Sequence, residues 1–508
     1  MKKKYITWMS AFVGLMMLLL TGCQSVIGVD LNKALQRNLE VTSYEGYSDF
    51  SVELIGGSHF DWSTDNEDLS FLQDLKFEMN NIKMQDRNTM SMDAKLVTKK
   101  GDVPFSLSIT DKEMAIQFEG AAKPVYFQLE DYYNLDPMMM TVNWAGLNDT
   151  LQNNQEQLLK SVGPFIINNL PNPENLRVSN ATEQINGSLT NLTRVHAEIK
   201  GSEVLGLVKA FIDNIASDEA ALKEVIQQVY TLILAPIGEE MGEDLEGLDL
   251  GPALVDEMFN EVKAGLFEFS QQLDAMMKSG DADEFLNDNN YLTVDMYVDN
   301  NTSDIRKMDM ELVFNNPEPT DYDINTVKIK STSEVWNVNQ AVSAEIIDTK
   351  EGLVLDESLT AAQFVNNLDP NSALYSFLLN DLKLSSKFIY LPIGDGVEDA
   401  ALLELPYIDP VTEKAMVPLR FVAEELDSEV TWNNETQQAT IVDVWTGKTI
   451  VLTIGSSTAV VDGQSIKLEG EAQLTGDTTY VPVRFIADQF GAEIDWDNEV
   501  RAVIITRD

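Results

Sequence analysis

Met416-Val417-Pro418-Leu419-Arg420-Phe421-Val422-Ala423-Glu424 recurs as Tyr480-Val481-Pro482-Val483-Arg484-Phe485-Ile486-Ala487-Asp488, 64 residues further on. At the same spacing Glu429-Val430-Thr431-Trp432-Asn433 pairs with Glu493-Ile494-Asp495-Trp496-Asp497. Ala439-Thr440-Ile441-Val442 then pairs with Ala502-Val503-Ile504-Ile505, one residue closer. A repeat of this length is a supersecondary unit, and two copies can bury each other's open faces. Proline has no N–H, so the Val-Pro strand cannot continue into a ladder past Pro418 or Pro482. A short helix is predicted from near Arg420 or Arg484, with Phe421, Val422 and Leu426, or Phe485, Ile486 and Phe490, on its apolar side. Gly491 suits a helix C-cap, whereas Ser428 precedes Glu429 and leaves that glycine without a counterpart. A strand through Val430 and Trp432, or Ile494 and Trp496, then turns at Asn433-Asn434 or Asp497-Asn498, pairs that favour turns. Hairpin strands at 449–454 and 458–461, turning at Asp462-Gly463, lie between the copies.

This twice-repeated block resembles the copper amine oxidase N-terminal-like domain family over residues 388–508. The resemblance implies an α+β stalk-type module, remote from copper and substrate in amine oxidases. Thr412-Glu413-Lys414 replaces the usual Gly-Arg of the family, so the start of the first copy departs from the pattern. Residues 388–508 contain no His or Cys, and no copper site carries over. Four side chains are candidate binding residues: Arg420 and Arg484 for an anionic cell-wall group, Trp432 and Trp496 for stacking on sugar. The competing reading pairs Arg420 with Glu424 and Arg484 with Asp488 at i,i+4, and packs both tryptophans into the core.

Upstream, residues 47–342 alternate between two periods. Leu75, Phe77 and Met79, then Met92, Ala94 and Leu96, then Phe105, Leu107 and Ile109, then Met114, Ile116 and Phe118, then Val125, Phe127 and Leu129 read as antiparallel hairpins with one buried face. Helices are predicted at about 150–162, 203–215, 219–234 and 253–277, with a strand at Val195, Ala197 and Ile199 between them. Strands at 292–298, 308–314 and 327–329 follow. Such a sheet must cover its apolar face, and the amphipathic helices are the available cover. The architecture resembles the half-barrel of bacterial lipoprotein carriers, which implies a cavity for acyl chains; a closed core is the alternative.

The chain has 508 residues with 35 Lys and Arg against 83 Asp and Glu, a formal charge of −48. That excludes nucleic-acid binding through neutralised phosphates. His59, His196 and Cys23 are its only histidines and cysteine, which removes disulfides, most zinc sites and Cys–His nucleophiles. His196 lies between Val195 and Ala197 and points to the solvated face of its strand; His59 sits in a loop. Met138, Met139 and Met140 are soft thioethers, but consecutive residues cannot face one point, so they read as core filling. The acidic stretch from Gly280 to Asn290 lacks the spacing of a calcium loop and reads as a solvated linker.

Lys2, Lys3 and Lys4 precede an apolar run from about Tyr5 to Leu20, which ends in Leu20-Thr21-Gly22-Cys23. This has the build of an export signal and is too short to span a membrane. Leu-Thr-Gly-Cys resembles the bacterial lipobox, which implies cleavage before Cys23 and its acylation with palmitate-type chains. By the same resemblance Gln24 favours outer-membrane sorting, if the cell has an outer membrane.

The expected organisation is α+β throughout. A lipoprotein signal peptide spans 1–22 and a tether 23–46. The central half-barrel-like antiparallel sheet covered by helices spans 47–342, a helical connector 343–387 and the tandem-repeat stalk-type domain 388–508. The expected protein is not an enzyme and needs no cofactor. It is an exported envelope lipoprotein held in membrane lipid by acylated Cys23, with a structural or binding role. Its other candidate partners are cell-wall polymer and a hydrophobic ligand of the half-barrel.

Overall fold

A computed structural model describes residues 30–64, 67–129, 144–234, 252–356, 358–394 and 405–507. The readings at Cys23 and at Met138 to Met140 lie outside these residues. The chain forms two compact units, Met1–Glu119 with Lys123–Val354, and Gly120–Ala122 with Leu355–Asp508.

In the first unit the strands are β1 (Tyr44–Gly56), the short ribbon β2 (Ser63–Thr64) and β3 (Glu67–Asp68), β4 (Asp74–Met84), β5 (Met90–Thr98), β6 (Gly101–Ile109), β7 (Glu113–Phe118), β8 (Val125–Gln128), β9 (Asn175–Ile185), β10 (Ser188–Lys200), β11 (Tyr291–Asp299), β12 (Ile305–Asn315), β13 (Ile324–Trp336) and β14 (Leu353–Val354). Twelve of them form one sheet in the order β14-β8-β7-β6-β5-β4-β1-β13-β12-β11-β10-β9. Among the described residues the β14–β8 pair is parallel and the other pairs of this sheet are antiparallel. Helices α1 (Leu31–Leu39), α2 (Trp144–Asn169), α3 (Gly201–Ser217), α4 (Glu219–Val229) and α5 (Pro252–Ser279) belong to the same unit. Leu292, Val294 and Met296 of β11 point to one face and are buried against Leu31 and Leu35 of α1, Val204, Leu207 and Val208 of α3 and Leu273 of α5. This is the period-two face that the sequence requires.

The sheet curls into a half-barrel. β9 comes back towards β13 across three intervening strands, and Ile185, Leu192, Tyr297 and Trp336 join one apolar cluster. Lys307 of β12 reaches Glu183 of β9 at 3.0 Å.

Three expectations are corrected here. The segment expected as a tether contributes α1, whose Leu31 and Leu35 are core residues, and the start of β1. The stretch Gly280 to Asn290 is no solvated linker. Ala282, Phe285 and Leu286 turn inward and are buried while the acids stay outside, and buried Asn290 donates to the Phe285 carbonyl and accepts from the Asn315 N–H. A Cβ on Gly201 would stand 2.6 Å from the Asn287 carbonyl oxygen, so this close approach requires glycine. Lastly, the chain after β13 does not leave the sheet at residue 343. It crosses as a strap: the Glu345 N–H donates to Ser91 Oγ at 2.8 Å, Ile347 N–H to Ser108 Oγ at 3.1 Å, and Thr349 Oγ1 to Glu113 at 2.9 Å. Ser91, Ser108 and Ala115 are small and buried, which leaves room for it.

The second unit opens with α6 (Ala361–Asn366) and α7 (Ala373–Ser376), capped by the side chains of Thr360 and Ser372. Then come β15 (Lys387–Pro392), β16 (Tyr407–Ile408), β17 (Ala415–Pro418), α8 (Leu419–Glu425), β18 (Ser428–Asn433), β19 (Gln438–Asp443), β20 (Thr449–Thr453), β21 (Thr458–Val461), β22 (Gln464–Lys467), β23 (Gln473–Thr475), β24 (Thr478–Pro482), α9 (Val483–Phe490), β25 (Glu493–Asp497) and β26 (Ala502–Arg507). The two Val-Pro strands pair with each other, antiparallel, with Val417 opposite Val481. Equivalent residues of the copies therefore meet, and the copies are related by a local two-fold. The β18–β19 hairpin extends through β20, β21 and β22, whereas β25–β26 is extended by β15, the strand preceding the first copy.

The repeat register is also corrected. Trp432 faces Ala439 and Trp496 faces Val503, so the offset stays 64 to the end and no residue is lost in the second turn. Gln437 and Arg501 sit at φ 52° and 54°, at the same place in each turn. The counterpart of Gly491 (φ 66°) is then Asp427 (φ 57°), which closes the first helix in the left-handed region. Its carboxylate accepts from the Trp445 indole at 2.8 Å and meets Lys387 at 2.9 Å. Phe421, expected inside, is 45% exposed while Phe485 is 5% exposed; Leu419, Val422, Ala423 and Leu426 fill that core instead.

The same register brings Asp443 and Arg507 to equivalent positions, and they pair at 3.1 Å with side-chain exposures of 1% and 9%. Arg507 also donates to the Leu426 carbonyl at 2.9 Å and lies over the Phe490 ring. Arg507→Met should cost about 3 kcal/mol, because it strands a buried carboxylate. Adding Asp443→Leu should recover most of that loss, and denaturant unfolding of the single and double variants measures both.

Candidate functional site

Arg484 and Trp496 line one cleft of about 350 Å³ in the second unit, together with Lys414, Glu469, Asp495 and Val503. Trp496 stands directly opposite Val503 across the β25–β26 pair. Its indole N–H donates to Asn498 Oδ1 at 3.0 Å, which fixes the ring, and 37% of the residue remains exposed. Lys414 pairs with Glu469 at 3.2 Å.

The first copy differs in how its arginine and its turn asparagine are held. Arg420 is held by Glu424 at 3.1 Å and by the Val430 carbonyl at 3.0 Å. This is the i,i+4 pair expected from sequence. The corresponding pair of Arg484 with Asp488 does not form, and among the described residues Arg484 has no ion pair. An Asp side chain is one methylene shorter than Glu, which accounts for the difference in reach. Trp432 is exposed to the same 37%, but Asn434, the counterpart of Asn498, is engaged by Gln437. The four candidate residues therefore separate into two pairs, and Arg484 and Trp496 line a cleft together.

The histidines lie apart in the first unit. His59 is exposed, with Nδ1 3.0 Å from Ser58 Oγ and 3.8 Å from Asp321. Both neighbours approach the same ring nitrogen, and Ser58 also donates to Asp321 at 2.8 Å, so the three groups lack the geometry of a nucleophilic triad. His196 points away from the helices as expected. It is not simply solvated, since its Nδ1 lies 2.8 Å from Asp295.

That contact belongs to a charged ladder that sequence reading missed. Across this face Asp295 stands opposite Asp309, and Asp49 opposite Glu78. Directly opposed like charges repel, and cations pair with the acids of each rung. Arg194 forks onto Asp295 at 2.7 and 2.8 Å. Lys307 reaches Asp309 at 3.5 Å. Lys76 spans Asp49 and Glu78, and Lys95 adds a contact to Glu78 at 2.9 Å. Burial and neighbouring Asp49 push the Tyr47 hydroxyl above its ordinary value. Burial raises the Asp295 carboxyl, but hydrogen bonds from Arg194 and His196 outweigh it and hold the group below the usual carboxylate range. The signal available in sequence was the alternation of charges out of phase with the apolar residues, but pairing residues 14 to 101 positions apart requires the fold.

Among the described residues no group of three or more His, Cys, Asp or Glu is arranged to hold a metal, and no helix is long and apolar enough to cross a membrane.

Residues 398–505 match the family model described as the copper amine oxidase N-terminal domain. The match covers the C-terminal repeat and identifies it as this stalk-like type of domain; the catalytic domain of copper amine oxidases is not matched. No curated protein matches the chain.

A depressed carboxyl contributes stability above its unfolded pKa and loses it as pH falls through the folded value. Asp295→Asn should therefore cost about 2 kcal/mol at neutral pH. The gap from the parent chain should close as pH drops below about 3.9, the ordinary Asp value. Thermal unfolding across pH 3 to 7 checks the sign.

Proposed function

We propose that the protein is a non-enzymatic lipoprotein of the cell envelope, exported and anchored on the outer face of a membrane through acylated Cys23. Its repeat domain serves a structural or binding role. The observation that carries this reading is Leu20-Thr21-Gly22-Cys23 at the end of a basic-then-apolar leader, placed on the only cysteine of the chain. A match to a stalk-type domain without its catalytic partner supports a non-catalytic role. Several acyl chains at about 0.8 kcal/mol per buried CH₂ hold a protein firmly. Basic residues cannot do so in a chain of −48.

The anchor would be close. Asp30 caps α1, seven residues after Cys23, and seven extended residues span at most about 25 Å. The first unit would therefore stand next to the bilayer. Labelled palmitate should enter the parent protein and not Cys23→Ser, which should appear in the soluble fraction. Label in the variant, or a parent protein that is soluble without detergent, overturns the anchor.

A second reading is a carrier of hydrophobic ligand. It is favoured by a cleft of about 420 Å³ lined by Leu35, Val41, Met84, Met296 and Met308, because methionines adapt to varied apolar shapes. Native mass spectrometry of protein from its own cells should then show a bound lipid beyond the anchor. A ligand-free mass counts against it.

A further inference from the structure

We infer that the Arg484–Trp496 cleft, whose wall includes Glu413, Lys414 and Ala415 from the first copy, is a saccharide-binding subsite, and that of the two Arg–Trp pairs the second copy's carries it. The inference rests on reading the repeat domain as a binding module and names what it binds. Trp496 offers a half-exposed ring whose orientation is fixed by the indole bond to Asn498 at 3.0 Å. A sugar presents an apolar face of C–H groups to such a ring and hydroxyls at its edge. Arg484 is exposed and forms no ion pair among the described residues, so its guanidinium donors are available to hydroxyl oxygens. Asp495 and Glu469 on the same cleft supply acceptors for hydroxyl protons.

Charge selects the kind of sugar. Glu413, Glu469 and Asp495 line the cleft against Lys414 and Arg484, so it holds one more acid than base. The chain around it carries −48. A polyanion would be repelled at long range and opposed at the rim. The occupant is therefore an uncharged saccharide, a hexose or N-acetylhexosamine unit of a glycan.

The first copy cannot do the same. Glu424 and the Val430 carbonyl occupy the Arg420 guanidinium, and Asn434 is engaged by Gln437 rather than by Trp432. The residue that decides between the copies is Asp488 in place of Glu.

The test uses full-length protein in detergent with N-acetylglucosamine tetramer as the neutral probe and poly(glycerol phosphate) as the anionic one, followed by calorimetry and tryptophan fluorescence. The neutral probe should bind. Trp496→Ala and Arg484→Ala should each weaken it roughly tenfold, the scale of one aromatic or charged contact. Asp488→Glu should weaken it several-fold with unchanged thermal unfolding, because the longer carboxylate captures Arg484 as Glu424 captures Arg420. Trp432→Ala and Arg420→Ala should leave affinity unchanged. No heat with the neutral probe, an equal loss from Trp432→Ala, preference for the anionic polymer, or an Asp488→Glu variant that binds as well as the parent would each overturn the assignment. Acylation of Cys23 is read separately by label. A failed saccharide titration with labelled protein removes only this site, and binding by unlabelled protein removes only the anchor.

Discussion

The C-terminal unit depends on one constraint: residues at the same place in the two copies must face each other. Val417 lies opposite Val481, and Met416 and Pro418 lie opposite Pro482 and Tyr480. A contact near such a local two-fold has to satisfy itself, since each side presents the same position. Two valines do so by simple packing. Two prolines end the pairing together, because neither can donate beyond it. At the next meeting point identical charged residues would repel. The copies there have diverged to Asp443 and Arg507, which convert an isologous contact into a buried ion pair. Leu426 and Phe490 have diverged in the same way, one offering its carbonyl to the Arg507 guanidinium and the other its ring.

The first unit solves a different charge problem. With 83 acids and 35 strong bases, any polar sheet face will oppose carboxylates. The sheet pairs the acids that meet across strands with cations: Lys76 spans Asp49 and Glu78, Lys95 adds to Glu78, Arg194 holds Asp295 and Lys307 holds Asp309. Apart from the more buried Asp295, which both Arg194 and His196 hold, such half-exposed pairs each contribute little, but they relieve repulsion that would otherwise penalise the register. The acid excess is left to the surface, where it maintains solubility.

Much of this architecture was legible because its signals are local. Apolar residues at period two or 3.6 located β4 to β8, β11, β12, α3 and α5 to within a few residues, whereas α2 extends well past the expected 150–162 at both ends. The repeat was legible because two copies confirm each other. What failed was non-local. β1 and β9 carry no such signal, because Tyr44–Gly56 and Asn175–Ile185 mix polar and apolar residues, and only partners on both sides, or a curled end, make them strands. The strap over Ser91 and Ser108 has no periodicity of its own, since it is held by single backbone N–H bonds to serine hydroxyls. The repeat register slipped because Ala502 resembles Ala439 in composition, whereas burial aligns Ala439 with Val503 and Ile441 with Ile505.

The candidate site was legible as residue types and not as a site. Arg420, Arg484, Trp432 and Trp496 are indistinguishable by motif, because the motif is what the copies share. The distinction lies in residues outside the shared block's identities: Glu424 against Asp488, and Gln437 against Arg501. One methylene decides whether a guanidinium is spent inside the helix or left to solvent. One turn residue decides whether the neighbouring asparagine is free to orient an indole. Duplication supplies two equivalent scaffolds, and the fold requires both to keep the core positions that meet at the two-fold. Side chains outside that core are free to differ between the copies, and exposed Arg484 and Trp496 are among them.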